Sequence, residues 1–356
     1  MCNGLPQPVD MLQICVVGLG AIGTYYALAL EKSGRAQVTA VCRSNLGTLI
    51  ENGVDVVSDG LGRVAAWKPH RAVPTPEEAA DRRYDFVICA FKALPDVNPT
   101  PKLIAPLLHS TDCFVLIQNG IGIHADLQAA RPDAAIISSC AWIDATTVGG
   151  GRSVVQSGPD KLTSGLHPGL VASSEDGQTA EDEGVQSLRL FHELLVAGGA
   201  GSEVTDDINA ARWQKILWNA TFSTLCTVSR SPVADLLCSQ LLPVTLPTVK
   251  GIMEEVVSVA RSTGVTASKL PENKVDQVIA DCLEQYSDER RTSPSRFKPS
   301  MLVDLEAGRP MEVEPIVGSV VKIARKHAVA TPRLDMIYAQ LMILQRAVLR
   351  ARHVVS

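Results

Sequence analysis

Aromatic side chains are scarce in this chain, with four Trp, five Tyr and six Phe among 356 residues. Hydrophobic residues still make up 46% of it, so its core must be mainly aliphatic. An excess of basic residues is also missing. The net charge of −5 removes any general electrostatic reason to expect nucleic acid or an anionic membrane as a partner. No run approaches the roughly 18 uninterrupted apolar residues of a membrane-spanning helix. Met1 to Asp10 is polar and proline-containing, without the basic start and apolar core of a signal peptide. The nine cysteines (2, 15, 42, 89, 113, 140, 226, 238 and 282) form no CxxC pair, and several sit within apolar runs. That pattern suits reduced, buried thiols in a cytoplasmic protein better than disulfides, and no metal site is expected.

What the chain does have, close to its start, is Ile14-Cys15-Val16-Val17 running into Gly18-Leu19-Gly20-Ala21-Ile22-Gly23. The apolar run reads as a buried strand, and a helical pattern follows from Thr24 to about Lys32. A GxGxxG between strand and helix is the context of a dinucleotide fingerprint. The first glycine permits the tight turn, the second lets backbone approach a pyrophosphate, and the third lets helix pack on strand. The helix start adds free N–H groups and a positive dipole end. Residues 37–42 read as the next strand, ending at Cys42-Arg43-Ser44-Asn45 with no acid at its tip. An acid there would bind the ribose 2′-OH of NAD, whereas a guanidinium can hold a 2′-phosphate. The cofactor expected is therefore NADP(H).

Short extra strands are expected within 53–75, then buried strands at 84–90, 113–117 and 135–140, and further strands at 152–156 and 161–166. Phe91-Lys92 and Gln118-Asn119-Gly120 follow two of these strands, at the edge where open α/β sheets bind ligands. Residues 172–184 are polar and acidic and read as a surface loop, and a helix is expected over 185–197. Beyond Thr205 the strand-like runs largely stop, and 206–350 reads as helical. The expected architecture is an α/β Rossmann-type doubly wound sheet extended by antiparallel strands, followed by an all-α domain. The boundaries are 1–205 for the dinucleotide-binding domain and 206–356 for the helical domain.

The first helix of the second half, expected from Ile208 to about Val228, carries Trp213-Gln214-Lys215-Ile216-Leu217-Trp218-Asn219. Lys215 and Asn219 are four residues apart and share a helical face, which Ser223 extends by another turn. A second stretch, Ser300-Met301-Leu302-Val303-Asp304-Leu305-Glu306-Ala307-Gly308-Arg309-Pro310-Met311-Glu312-Val313-Glu314, reads as a short helix ended by Gly308 and Pro310. By themselves Glu312 and Glu314 read as ordinary charges at a helix start, and Lys92 and Lys215 as surface charges.

In order and spacing these pieces resemble the ketopantoate reductases (2-dehydropantoate 2-reductases), of the 6-phosphogluconate-dehydrogenase-like group. The resemblance rests on Gly18 to Gly23, Cys42-Arg43, Phe91-Lys92-Ala93, Gln118-Asn119-Gly120, Trp213-x-Lys215-x-x-x-Asn219, and Ser300-Met301 through Asp304 and Gly308-Arg309 to Glu312. It spans about residues 12–345. It implies NADPH-dependent reduction of a 2-oxo acid, 2-dehydropantoate to pantoate, on the route to pantothenate and coenzyme A. In that family the first domain binds NADPH and the helical domain closes the substrate cleft. Carried over by position, Arg43 would contact the 2′-phosphate, and Lys92 and Asn119 would lie along the cofactor near the reacting centre. Lys215 would be the catalytic acid, with Lys92 able to lower its pKa. Asn219, Ser223 and Ser300 would hold the substrate, and Glu312 would contact the cofactor ribose or order the site. The resemblance also implies a homodimer, with 206–356 as the substrate and dimerisation domain.

Two positions depart from the family pattern. Ser223 stands where an asparagine is common, and Val233 lies in a loop where a further asparagine is expected. The acidic stretch 172–184 looks like an insertion. Cofactor binding and hydride chemistry are untouched by these departures, whereas the choice of substrate is not. Two alternatives follow from this: a reductase of the same family acting on another 2-oxo acid or a specialised metabolite, and a non-catalytic NADP-binding or sensing protein.

Overall fold

The computed structural model describes residues 11–167, 180–287 and 295–355. Met1 to Asp10 and positions 172–179 of the acidic stretch lie outside them. Two units are distinguished. The first holds Met1–Lys92, Thr100–Gln118 and His124–Ile208. The second holds Asn209–Ser356 together with two short pieces from the first half of the chain, Ala93–Pro99 and Asn119–Ile123.

The first unit is built on a ten-stranded sheet. Its strands are β1 (Leu12–Val17), β2 (Ala36–Val41), β3 (Val54–Ser58), β4 (Gly62–Trp67), β5 (Arg71–Val73), β6 (Phe86–Cys89), β7 (Cys113–Leu116), β8 (Ala135–Val148), β9 (Ser153–Leu166) and β10 (Ser202–Val204). They lie in the order β4-β3-β9-β8-β7-β6-β1-β2-β5, with β10 on β9. The run from β8 through β7, β6, β1 and β2 to β5 is parallel throughout. Antiparallel pairing is confined to β8 with β9 and β3 with β4. Strands β6, β7 and the end of β1 are continuous buried runs, as a sheet covered on both faces requires. The Rossmann-type sheet read from the sequence is therefore present, with its antiparallel extension.

Three details differ from the sequence expectation. The strand from Ala135 runs to Val148 rather than ending near 140, and the two strands expected at 152–156 and 161–166 are one, β9. These long partners pair along nearly their whole length, with a register shift between Trp142 and Asp144. Gly158-Pro159, which local propensity reads as a break, falls within that shift: Asp144 pairs Ser157 and Trp142 pairs Lys161, so the dipeptide is accommodated as a bulge and pairing resumes on either side of it. The helix expected at 185 begins at Ala180, so residues 180–184 of the acidic stretch are helical rather than loop.

The sheet core is aliphatic, as composition demands. Ile14, Val16, Val38, Ala40, Ile88 and Val115 are buried beneath the helices Ala21–Lys32 and Ala180–Ala197. Each fully buried residue of this kind contributes roughly 1.5–3 kcal/mol. The few aromatics sit where they fill most volume: Phe86 packs on Phe191 at 5.9 Å, and Tyr25 meets Tyr26 edge-on at 5.2 Å. Every cysteine within the sheet unit's described residues is reduced and buried. Burial pushes the Cys15 and Cys113 thiols up to about 12, so they are inert packing groups.

The second unit is helical. Its main elements are Ile208–Trp218, Thr224–Ser229, Leu242–Ser262, Lys274–Tyr286, Ser300–Glu306, Ser319–Lys326 and Pro332–Val355. Ile216, Leu217, Phe222, Val249, Ile252, Val256, Ile316 and Val320 lie in one continuous aliphatic core. No described helix is long and apolar enough to cross a membrane. Among the described residues no cluster of three His, Cys, Asp or Glu could hold a metal ion.

Candidate active site

In the first unit a candidate dinucleotide site lies where the strand order reverses. β1 has β2 on one side and β6 on the other, and ligands of open α/β sheets bind at such a point, beyond the strand C-termini. Gly18 to Gly23 occupies it. The three fingerprint glycines are required for different reasons. Gly18 has φ +94°, and a Cβ there would lie 2.8 Å from the Phe91 nitrogen. At Gly23 a Cβ would lie 2.0 Å from the Gly18 carbonyl oxygen, so the helix could not seat against the turn. Gly20 is different: a Cβ there meets nothing within 4 Å, and its φ of −80° suits any residue. The protein's own packing thus explains two glycines and leaves the third facing open space.

Helix Ala21–Lys32 starts at Gly20 with no side-chain cap and no acid in its first turn. Its first N–H groups are left for an anion, with Leu19, Ala21 and Ile22 supplying the backbone of the turn. Arg43 lies just past β2, exposed, and makes no hydrogen bond or ion pair among the described residues. Lys92 is half-buried, just past β6. The neighbouring Phe91 carbonyl accepts a hydrogen bond from Gln118 Nε2 at 2.9 Å, which joins the ends of β6 and β7. The residues present fit a dinucleotide: a cradle without a side chain, an uncapped helix start, and an available guanidinium.

In the second unit a group of candidate residues is organised by Glu312. Its carboxylate is buried, accepting from the Ala93 backbone N–H at 3.1 Å through Oε1 and from Asn119 Nδ2 at 3.0 Å through Oε2. Far from being a solvated charge at a helix start, it clamps the two short pieces that follow β6 and β7. Glu314 is buried as well. It pairs with Lys322 at 2.5 Å and accepts from the Tyr338 hydroxyl. Burial, reinforced by Glu314, pushes the Tyr338 phenol up to about 12. Replacing Glu312 by glutamine turns one acceptor into a donor facing a donor. The variant is expected to lose about 1–3 kcal/mol, the cost of an unsatisfied buried group. Urea unfolding measures this, and an unchanged midpoint would mean that the clamp does not hold in solution.

Lys215 and Asn219 lie on consecutive turns of one helical run, Lys215 half-buried and Asn219 buried. The sequence pattern predicts a regular α-helix to about Val228. Instead the chain widens into a π-helical turn over Asn219–Ser223 before continuing as Thr224–Ser229. Threonine hydroxyls explain where the carbonyls go: Thr224 Oγ1 donates to the Ala220 carbonyl and Thr227 Oγ1 to that of Ser223, each at 2.6 Å. Such back-bonding bends helices, and π turns gather at functional sites. The widened turn begins at Asn219 and ends at Ser223. A second π turn, Glu314–Gly318, contains Pro315, which has no N–H to offer the helix. Ser300 is exposed at the start of Ser300–Glu306. Val233 is fully buried, its N–H donating to the Phe297 carbonyl at 3.2 Å.

The second unit therefore brings together Asn119 and Glu312, and places Lys215, Asn219 and Ser223 on one helix. The roles of two residues escaped sequence reasoning. Arg212 is buried and donates to the Gly120 carbonyl at 3.0 Å. Glu314 anchors the second π turn. The only sequence signal for Arg212 was its place one turn ahead of Lys215.

Comparisons with known proteins identify the family. The family model for ketopantoate reductase PanE/ApbA matches residues 14–169, and the model for its C-terminal part matches residues 207–345. A 2-dehydropantoate 2-reductase of Mesorhizobium japonicum is 29% identical over 339 residues, covering 92% of this chain and 96% of the relative. The crystal structure of 2-dehydropantoate 2-reductase from Methylococcus capsulatus superposes with a TM-score of 0.74 at 30% identity, covering 95% of this chain and 98% of that one. A ternary structure of D-mandelate dehydrogenase with NADH and anilino(oxo)acetate shares the fold, with a TM-score of 0.74 at 22% identity over 95% of this chain and 99% of that one. The chain belongs to the ketopantoate reductase family and is a pyridine-nucleotide oxidoreductase.

Proposed function

We propose that the chain reduces a 2-oxo acid with NADPH, with 2-dehydropantoate as the substrate and pantoate as the product. The observation that carries the cofactor half is the open cradle at Gly20, beside an uncapped helix start and with Arg43 past the next strand. The bound nicotinamide supplies hydride to the carbonyl carbon. Leu19, Gly20, Ala21 and Ile22 hold the pyrophosphate through backbone N–H groups, in a turn whose close packing Gly18 and Gly23 permit, and Arg43 holds the 2′-phosphate. Lys92 and Asn119 lie along the cofactor. As negative charge grows on the carbonyl oxygen, the Lys215 ammonium stabilises it and delivers the proton. Asn219, Ser223 and Ser300 hold the acid in place, and Glu312 fixes Asn119. The chain acts on this substrate as a cytoplasmic homodimer, which sedimentation of the purified protein tests.

The deciding experiment follows NADPH oxidation across a panel of 2-oxo acids. Turnover of 2-dehydropantoate supports the reading. Turnover of a different acid alone supports a second reading, favoured by one observation: Val233, buried at the start of the short helix Val233–Leu236 where the family pattern has an asparagine, offers no hydrogen bond from its side chain. Tight NADPH binding with no turnover of any acid would reduce the chain to a binding protein.

Cofactor choice has its own test, since NADH is the cofactor named for the D-mandelate dehydrogenase complex. Arg43→Ala should raise KM for NADPH at least about tenfold, the equivalent of one lost charge-assisted contact, and leave KM for NADH unchanged. Equal effects on both coenzymes would remove Arg43 from the 2′-phosphate.

A further inference from the structure

We infer that Arg212 is a positioning residue for this reaction, locking the loop that carries Asn119 onto the helix that carries Lys215. The loop Asn119–Ile123 follows β7 and has no regular structure of its own. Three consecutive residues of it are held by three different groups. Asn119 Nδ2 donates to Glu312 at 3.0 Å, the Gly120 carbonyl accepts from Arg212 Nη1 at 3.0 Å, and the Ile121 N–H donates to the Pro315 carbonyl at 2.9 Å. Gly120 has φ +112°, and a Cβ there would lie 2.4 Å from Pro315, so the loop passes the π turn at the closest approach that backbone allows.

Of the three anchors only Arg212 lies on the helix Ile208–Trp218, three residues before Lys215 and on the same flank. It is 3% exposed. Burying a guanidinium is costly, but its terminal nitrogen reaches two bonds farther from the backbone than a glutamine amide and one bond farther than a lysine ammonium. The arginine thus spans the distance to the Gly120 carbonyl from within the helix, and its planar fork can hold other groups at the same time. Glu312 sets where Asn119 points. Arg212 sets how far that loop stands from the Lys215 helix. Reactive geometry tolerates little error: a displacement of about 1 Å can cost roughly a hundredfold in rate.

The inference rests on the roles proposed above for Lys215 and Asn119. The test compares Arg212→Gln and Arg212→Lys with the full-length enzyme, using NADPH and whichever 2-oxo acid the wild type reduces. Arg212→Gln should lower kcat at least about tenfold while KM for NADPH stays within about threefold, because the interaction matters in the transition state rather than in coenzyme binding. Arg212→Lys, which still donates to the Gly120 carbonyl, should recover much of the loss. A smaller fall in kcat, a loss appearing in KM instead, or a lysine variant no better than the glutamine one each overturns the inference. Should Arg212→Gln fail to fold, amide exchange decides on Arg212→Lys. Faster exchange of the Ile121 N–H than in wild type supports the lock, and an unchanged rate overturns it. A wild type that reduces no 2-oxo acid would sink the proposed function, and amide exchange at Ile121 would still report on the lock.

Discussion

Lys215→Ala lowers kcat at least about a hundredfold, the lower end of what a positioned general acid contributes. Hydride arriving at a carbonyl carbon leaves negative charge on oxygen, and without a cation and a proton source there the barrier rises. Lys215 stands one turn before Asn219, where the helix widens into a π turn. The alanine variant should still fold, because a half-buried lysine is not part of the core. It should still bind NADPH, so the loss falls on kcat with coenzyme affinity unchanged. Near-normal turnover in a folded variant would take Lys215 out of the role of acid.

The second large effect separates two glycines that look alike in sequence. Gly23→Ala places a methyl 2.0 Å from the Gly18 carbonyl oxygen, which no rotamer can relieve. Overpacking of this kind costs about 1–3 kcal/mol or more and should lower the melting temperature. Gly20→Ser has the opposite profile. Serine is a better N-cap than glycine, and its Cβ meets no protein atom within 4 Å, so the fold should be as stable or more so. The side chain instead occupies the space a pyrophosphate needs. NADPH affinity should fall at least about tenfold, or ~1.4 kcal/mol. Calorimetric melting with fluorescence titration of NADPH reads both at once. Wild-type affinity in Gly20→Ser would mean that the cradle does not face the cofactor.

The glycine fingerprint was legible because its logic is local. A strand, a turn with positive φ and a helix start are each encoded within a few residues, and the sheet formed around them as read. The long pairing of β8 with β9 was not legible. Gly158-Pro159 breaks the local pattern, and the strand continues only because pairing with β8 resumes on both sides of the bulge that holds it. The helix beyond Ile208 was read correctly in extent, but its π turn was not, because the extra residue is accommodated by threonine hydroxyls and by packing rather than by periodicity. Glu312 and Glu314 show the limit most sharply. In sequence they are two acids at a helix start, and in the fold both are buried anchors with partners far away along the chain.

The sequence by itself determined a dinucleotide-type sheet followed by helices, an aliphatic core, and a set of motifs whose order marks the family. Backbone geometry and hydrophobic period act over short range, so they can be read residue by residue. Tertiary structure alone decided that Ala93 and Asn119 meet on Glu312, 219 and 193 positions away respectively. It alone decided that Arg212 reaches Gly120, and that Gly20 among the three glycines faces open space. Contacts of that range carry no periodic signal. They arise because a buried carboxylate or guanidinium must find a partner, and which partner it finds depends on how distant segments are brought together.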